Sequence, residues 1–354
     1  MAALRSRVLK LAQHMSKHGS LRLQQQNGFT TSTSRWKAFN KPLSGNDLPR
    51  SSGIASMYRL PIQENTEGLD VAFVGVAVDI GASNKSGTRH GPRAIRAESC
   101  LVREYNKDTG ACPYESLMVA DVGDVYFTPY NLPQAAEDIR KGFSKLLSTG
   151  CKTLTLGGDH TITYPILQAY KEKYGPVGLI HVDAHGDTSD RMNGCAIAHG
   201  TPFRRAVDEG LLDCKRVVQI GIRGSGYSMS DLTWGIDQGF RVVPARHCYH
   251  KSLLPLMEEV RQQMGDGPVY ISFDIDALDP GFAPGTGTPE MGGLTPIQGM
   301  EIIWGCKGLN VIGGDLVEVS PPFDPTGITA LTGAQLLFEM LCVFPGVKYD
   351  ELAI

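Results

Sequence analysis

The sequence predicts an α/β fold in which helices cover both faces of a mainly parallel β-sheet, giving a three-layer sandwich. Two patterns support this prediction. Short runs rich in valine, isoleucine and leucine alternate with segments whose apolar residues recur at helical spacing. The short runs are apolar almost throughout rather than at every second residue, which indicates strands buried on both faces, as in parallel sheets.

The same patterns define the elements along the chain. The predicted strands are 71–76, 118–122, 153–156, 177–182, 217–222, 241–243, 269–273 and 309–319. The predicted helices are 92–105, 132–147, 163–174, 253–264, 295–306 and 328–342. The first of these begins with Pro92, as first helical turns often do. No internal repeat or low-complexity linker interrupts the pattern, so we expect residues 46–354 to form a single domain.

Composition argues against several classes of function. The chain has 354 residues and a formal net charge of −3, and no block rich in lysine or arginine follows residue 41, so nothing indicates a nucleic-acid partner. The absence of a long uncharged apolar run argues against insertion into a membrane. The 8 cysteines are scattered without a Cys-x-x-Cys pair, which favours reduced thiols in an intracellular compartment over a disulfide scaffold.

The first 45 residues differ from the rest of the chain. Residues 1–41 contain no acidic residue, and Arg5, Arg7, Lys10 and Lys17 alternate with apolar residues at helical spacing. A segment rich in serine and threonine follows. This pattern is typical of a mitochondrial transit peptide, and it predicts a matrix protein whose leader is removed on import. A disordered basic tail is the alternative interpretation.

Polar side chains follow several predicted strands at the point where each strand ends. Ligands of open parallel sheets bind outside the carboxyl ends of the strands, so we expect these side chains to meet. An extended chain would also place Asp183, His185 and Asp187 on one side, because side chains alternate between faces. The strongest candidates for metal binding are His160, Asp183, His185, Asp187, Asp274 and Asp276.

This set of side chains indicates a metal centre. Four carboxylates cannot share a buried edge uncompensated, because like charges repel and the burial of charge is costly. Two imidazoles and four carboxylates suit two metal ions that share carboxylates. Donors that are mostly oxygen favour Mn²⁺ over structural zinc, while nickel, cobalt and zinc stay open. Two such ions would lower the pKa of a bridging water for attack on an electrophilic carbon.

Two further residues complete the predicted site. Glu318 stands at the carboxyl end of the predicted strand 309–319, and its negative charge would favour a cationic group of the substrate. His199, in the segment AHGTPF, can carry a proton to a leaving amine. The alternative for His199 is a loop histidine that bonds the backbone.

Several ordered segments together resemble the ureohydrolases, the family of arginase, agmatinase, guanidinobutyrase and formiminoglutamase. They read GGDHT, DAHGDT, AHGTPF, SFDIDALDP, PGTGTPE and DLVEVSPPFD, and the similarity extends from about Gly68 to Cys342. The mitochondrial agmatinase-like members of animals are the nearest branch. The resemblance implies the arginase–deacetylase type of α/β/α sandwich and two manganese ions per subunit. It also implies hydrolysis of a guanidino carbon to urea and a primary amine, and a homotrimer or homohexamer.

The resemblance also implies a role for each site residue. One ion would bind His160, Asp183, Asp187 and Asp274, and the other would bind Asp183, His185, Asp274 and Asp276. Asp183 and Asp274 would therefore bridge the ions. His199 matches the proton-transfer histidine of the family, Glu318 matches the carboxylate that holds the guanidinium, and we count Asp187 with them among the catalytic residues.

The loop 188–198, TSDRMNGCAIA, is expected to face the tail of the substrate. It lacks the Thr/Ser/Asn-rich pattern with which arginase holds its amino acid, which argues against arginine. The segment NGC, with Asn193, favours agmatine, which would yield putrescine and urea. Arg191 can receive a carboxylate and Asp190 an amine, so a guanidino acid such as 4-guanidinobutanoate is the alternative substrate.

Other interpretations remain open at this point. A non-catalytic relative would have lost metal ligands, whereas all six are present. A deacetylase-type enzyme would use one zinc ion and a different ligand set. His90 stands where phenylalanine is usual in the family, and we expect it to pack within the fold, with substrate contact as the alternative.

Overall fold

The computed structural model describes residues 39–226 and 228–350. Most of the predicted leader, residues 1–38, therefore lies outside the described residues. The chain is already bonded to the domain just beyond this point. The Asn40 side-chain amide donates to the Val119 carbonyl at 2.9 Å, and the Lys41 ammonium lies 3.3 Å from the Glu115 carboxylate.

A parallel sheet forms the centre of the molecule, as predicted. Among the described residues it contains eight strands in the order β3-β1-β4-β9-β8-β5-β6-β7. Every neighbouring pair of these strands runs parallel. The strands are β1 Val71–Val76, β3 Val119–Asp124, β4 Lys152–Gly157, β5 Val177–Val182, β6 Leu212–Ile222, β7 Arg241–Pro244, β8 Pro268–Asp274 and β9 Asn310–Val317. A small antiparallel pair joins β2, Ala111–Cys112, to β10, Lys348–Tyr349.

Helices cover both faces of the sheet, which confirms the three layers. Against one face, Ile95, Met257, Ile303 and Leu336 pack in a hydrophobic cluster with strand residues such as Phe73. Helices Gly91–Glu98, Leu254–Met264, Pro296–Trp304 and Ile328–Cys342 supply this layer. The other cluster is built largely by helices Leu132–Leu147, Thr163–Tyr174 and Pro202–Asp208. A helix at Ser230–Gln238 lies between β6 and β7 in the chain.

Several element bounds differ from the prediction for local reasons. The first helix ends at Glu98, and a single 3-10 turn, Ser99–Leu101, leads into extended backbone at Val102. Strand β9 ends at Val317 because Glu318 adopts a left-handed φ of 63°. The sequence did not predict helices Pro202–Asp208 and Ser230–Gln238, because each is too short to show a clear apolar stripe.

Among the described residues, no helix is both long enough and apolar enough to cross a bilayer. Burial instead concentrates along the sheet. Strands β1 and β5 are buried along their whole length, as expected for central strands with helices on both faces.

Candidate active site and metal centre

The predicted site residues converge because their strands are neighbours in the sheet. Strands β4, β9, β8 and β5 lie side by side at its centre. His160 follows β4, Glu318 follows β9, Asp274 ends β8, and Asp183 follows β5. The carboxyl ends of parallel strands meet at one edge, so these residues share a single site although up to 158 residues separate them in sequence.

His160 lies at the centre of a carboxylate cluster. Its Nδ1 atom is 3.0 Å from Asp187 Oδ2, 3.2 Å from Asp183 Oδ2 and 3.3 Å from Asp274 Oδ2. The His160 side chain is entirely buried, yet its Nδ1 forms a hydrogen bond to none of these oxygens. The ring nitrogen therefore points between the three carboxylates rather than at any one of them.

His185 marks a second group of ligand atoms beside the first. Its Nδ1 lies 3.1 Å from Asp276 Oδ2 and 3.5 Å from Asp183 Oδ1. Asp183 thus turns one carboxylate oxygen toward each histidine. We call the group around His160 Nδ1 the His160 subsite and the group around His185 Nδ1 the His185 subsite. Their common carboxylate is the geometry expected of a ligand that bridges two ions.

The electrostatics of the cluster favour a bound cation. Burial, followed by the negative charges of Asp276 and Asp183, raises the pKa of Asp274 well above its usual value. Burial is also the main reason why the pKa of Asp276 is raised. Positive charge between these carboxylates would relieve both the repulsion and the cost of burial.

The donor set fits divalent metal ions. Ligand atoms at right angles around an ion with bonds of about 2.1 Å stand about 3.0 Å apart. The oxygens around His160 Nδ1 lie close to that spacing, at 3.0–3.3 Å. A buried ring nitrogen without a hydrogen-bond partner in the protein is also typical of a histidine that binds a metal ion. Six residues could hold the ions: His160, Asp183, His185, Asp187, Asp274 and Asp276.

Asp187 reaches this position through an unusual backbone. Its φ is 49°, in the left-handed region that residues with side chains seldom adopt. The backbone from 183 to 187 is irregular rather than extended, so the expected alternation does not persist. Asp183 and Asp187 still meet at His160, because the turn at Asp187 brings its carboxylate there, and His185 lies on the other side of Asp183. Such backbone conformations cluster at functional sites.

Glu318 faces the cluster from the end of β9. Its side chain is buried, and its left-handed φ of 63° turns it out of the strand direction. Oxygen Oε1 accepts a hydrogen bond from the His160 amide at 2.9 Å and a second one from His199 Nδ1 at 3.1 Å. Oxygen Oε2 has no hydrogen-bond donor among the described residues, and it faces Gly287, where a β-carbon would lie 3.7 Å away.

His199 is fixed at both ring nitrogens. Nε2 lies 2.7 Å from the Ser83 hydroxyl and 3.1 Å from the Ser83 amide, and Nδ1 faces Glu318. Burial on its own would lower the pKa of His199, but the hydrogen bond to Glu318 and that residue's charge raise the pKa to about 9. His199 therefore holds its proton beside the carboxylate, as a group that later donates a proton must.

The predicted tail-binding residues bond to partners outside this cluster. Asp190 is exposed and pairs with Arg205 at 2.5 Å. Arg191 donates to the Gly194 carbonyl at 3.0 Å, and Asn193 is exposed with a left-handed φ of 48°. Among the described residues, none of the three bonds a member of the carboxylate cluster. His90 is exposed, so its expected packing role is wrong.

Sequence reasoning missed residues that hold the ligands in place. His181 Nε2 donates to Asp183 Oδ2 at 2.7 Å, because the Gln219 amide group occupies Nδ1 at 3.0 Å. The ring atoms of His181 also come within 4.8 Å of the ligand atoms of His160 and Asp183. Because His181 donates its Nε2 proton to Asp183, we expect it to orient this proposed ligand rather than to bind a metal itself. Its place directly before the motif, in HVDAHGD, was the available signal.

Comparison with known proteins agrees with the geometry of this edge. Residues 69–342 match the model of the Arginase family. The chain belongs to that family. It is a metal-dependent ureohydrolase that acts on guanidino compounds. The match covers nearly the whole sheet, from β1 to the helix Ile328–Cys342.

Individual relatives are similar over most of their length. A mitochondrial agmatinase of Gallus gallus is 65% identical over 89% of this chain and 92% of its own. A guanidinobutyrase of Pseudomonas aeruginosa is 62% identical over 88% and 98%. A mitochondrial guanidino acid hydrolase of Homo sapiens is 61% identical over 87% and 88%. The solved proclavaminate amidino hydrolase of Streptomyces clavuligerus superposes with a TM-score of 0.78, at 37% identity over 83% and 99% of the chains.

Proposed function

We propose that this protein hydrolyses a guanidino acid, with 4-guanidinobutanoate as the leading candidate, to urea and an amino acid. Agmatine, which the sequence alone favoured, becomes the second candidate. The observation that carries the proposal is Lys85, whose backbone borders the space beside Glu318 and whose ammonium forms no ion pair with a carboxylate among the described residues.

The proposed metal ligands are the six residues of the two subsites. His160, Asp183, Asp187 and Asp274 would hold one ion, and Asp183, His185, Asp274 and Asp276 the other. Mostly oxygen donors with some imidazole favour manganese. Two ions bound there would supply an activated water molecule for attack on the guanidino carbon.

Glu318 is the proposed anchor for the guanidinium. Its Oε1 already accepts two hydrogen bonds, whereas Oε2 faces the space that Gly287 leaves open. A carboxylate can hold a guanidinium by charge-assisted hydrogen bonds and fix the carbon for attack. As the water oxygen bonds to that carbon, the bond to the alkyl nitrogen breaks. His199 is the proposed donor of the proton with which the amine leaves.

Lys85 supports a substrate with a negatively charged tail. Its carbonyl lies 3.0 Å from the position of a β-carbon on Gly287, the same position that is 3.7 Å from Glu318 Oε2. The backbone of Lys85 therefore borders the space beside the guanidinium anchor. Its ammonium lies 5.0 Å from the centre of the Phe323 ring, and it forms no ion pair with a carboxylate among the described residues. A substrate carboxylate would supply the missing partner.

The acidic candidate for binding an amine tail is already engaged. Asp190 pairs with Arg205, which argues against its use for the free amine of agmatine. The names of the bacterial guanidinobutyrase and the human guanidino acid hydrolase support the same choice. The name of the chicken agmatinase is the observation that keeps agmatine as the second candidate.

A steady-state assay of urea release tests the proposal. Metal-loaded enzyme should give the highest kcat/KM with 4-guanidinobutanoate, a lower value with agmatine and the lowest with arginine. A higher kcat/KM for agmatine than for 4-guanidinobutanoate would restore the first candidate of the sequence. Guanidinopropanoate, one methylene shorter, serves as a control for tail length.

We further propose a mitochondrial matrix enzyme that forms a trimer or hexamer. The basic leader supports import, and so do the mitochondrial relatives. Because Asn40 and Lys41 bond the folded domain, we expect cleavage before residue 40. N-terminal sequencing of protein from mitochondria checks this site, and intact Met1 would contradict it. Light scattering of the processed protein measures the assembly, and a monomer would contradict the proposed oligomer.

A further inference from the structure

A row of polar residues crosses the sheet beneath the candidate metal centre. Strand register places Thr155 beside Asp315, Asp315 beside Ser272, Ser272 beside His181, and His181 beside Gln219. All five side chains are buried. Buried polar groups are costly unless they are bonded, so such a row in the middle of an otherwise apolar sheet calls for a reason.

Hydrogen bonds link this row to His160. His160 Nε2 lies 2.9 Å from Ser272 Oγ, and Ser272 Oγ donates to Asp315 Oδ1 at 2.7 Å. Thr163 and Tyr270 donate to the other oxygen of Asp315, at 2.8 and 2.9 Å. Asp315 thus accepts three hydroxyl protons and lies behind the ring of His160, opposite the metal subsite.

The direction of the bonds fixes the state of His160. Ser272 has a single hydroxyl proton, and it goes to Asp315. Ser272 must then accept from His160, which requires the ring proton to be on Nε2. The Nδ1 lone pair is left free, and Nδ1 is the atom that lies 3.0–3.3 Å from three carboxylate oxygens.

We propose that Ser272 and Asp315 are positioning residues for the metal centre, which hold His160 with Nε2 protonated and Nδ1 turned toward the His160 subsite. This inference rests on the proposed metal ligands. Histidines that bind metals commonly donate their second ring nitrogen to a carboxylate or carbonyl, which fixes the ring and raises its basicity. Here the carboxylate acts through the hydroxyl group of an intervening serine.

Ser272→Ala tests the inference through metal affinity. The change removes the acceptor of the Nε2 proton and leaves His160 free to rotate or change its protonated nitrogen. We expect manganese affinity of the His160 subsite to fall by about 10- to 100-fold, the usual loss on removing such a partner. The His185 subsite should keep its affinity. Electron paramagnetic resonance at limiting manganese should then change from the spectrum of a coupled pair to that of single ions.

Ser99→Ala is the matched control. Ser99 is equally buried and also bonded through its hydroxyl, to the Arg96 carbonyl at 2.7 Å, but it lies outside the row. It should lose some stability and keep both manganese affinities. If Ser272→Ala lowers the melting temperature of the metal-free protein but binds both ions at wild-type affinity, Ser272 is merely structural and the inference is overturned.

Asp315→Asn keeps the inference testable if Ser272→Ala does not fold. The amide offers a single acceptor oxygen where three hydroxyl groups previously donated, so we expect the same loss at the His160 subsite, by about tenfold. Unchanged affinity in this variant would overturn the role of Asp315. The wild-type enzyme separates the two levels of the account. If it binds no pair of ions, the proposed metal centre fails, whereas normal binding by both variants removes only the positioning role.

Discussion

His199 Nδ1 lies 3.1 Å from Glu318 Oε1, and both side chains are buried at the carboxyl edge of the sheet. The pair joins the proposed proton donor to the carboxylate that we assign to the guanidinium. His199 also bonds Ser83, so the pair is held from the loop that follows β1. This arrangement places substrate anchoring and proton transfer within one hydrogen bond of each other.

Glu318→Gln should abolish most activity without emptying the metal centre. The change keeps the shape of the side chain and removes the charge that holds the guanidinium. We expect kcat/KM to fall by at least about a hundredfold, the scale lost with one preorganised electrostatic contact. Urea release is the measurement, and metal content is its control. Near-normal kcat/KM in a metal-replete variant would remove Glu318 from the anchoring role.

Asp183→Ala should release both metal ions. Its two carboxylate oxygens lie 3.2 Å from His160 Nδ1 and 3.5 Å from His185 Nδ1, so it belongs to both subsites. Asp274→Ala should act in the same way. Asp276→Ala is the matched comparison, because Asp276 contacts only the His185 subsite and its loss should leave one ion bound. Elemental analysis gives the content, and one tightly held ion in Asp183→Ala would reject the bridge.

Lys85→Met should change which substrate is preferred. The variant keeps the length of the side chain and removes the charge that we assign to the substrate carboxylate. We expect KM for 4-guanidinobutanoate to rise by about tenfold, as for one lost charge-assisted hydrogen bond, while agmatine is unaffected or improved. Lys145→Met, on the exposed side of helix Leu132–Leu147, is the control. An equal effect on both substrates would separate Lys85 from recognition of the tail.

Arg96→Met should destabilise the fold rather than the chemistry. The guanidinium bonds Asp121 at 2.8 and 3.0 Å and Asp124 at 2.6 Å, and Asp121 is buried. Removing one partner of a buried ion pair leaves an uncompensated charge, which costs about 3–5 kcal/mol in free energy of unfolding. Urea-induced unfolding measures the loss. Folded Arg96→Met should retain its kcat/KM for guanidino substrates, and a stability equal to wild type would contradict this account of the pair.

The sequence predicted the architecture well because strands and long helices leave strong periodic signals. Strands β1 and β5 and helices Leu132–Leu147, Thr163–Tyr174 and Ile328–Cys342 have the predicted bounds. Polar positions within β6, such as Asp213 and Lys215, concealed its first half. The order of strands, which places β9 and β8 between β4 and β5, came from the structure. It does not follow from any local pattern.

Site residues that follow strands could be predicted from the sequence. Residues whose position depends on contacts with distant parts of the chain could not. The six carboxylates and imidazoles could be expected at one edge, because parallel strands end together. Asp190 and Arg191 could not be placed from sequence, since the partner of a surface charge depends on neighbours distant in the chain, here Arg205. Ser272 and Asp315 gave no signal either. Within an apolar strand, a single serine or aspartate does not reveal what it bonds.

The measurement that tests the central claim most directly is a manganese titration of metal-free protein, with urea release from 4-guanidinobutanoate followed at each step. A centre built on two subsites with a shared Asp183 predicts that activity rises until two ions are bound per chain. It also predicts that further metal adds nothing. Full activity at one ion per chain, or two bound ions without urea release from any guanidino substrate, would contradict a binuclear hydrolase.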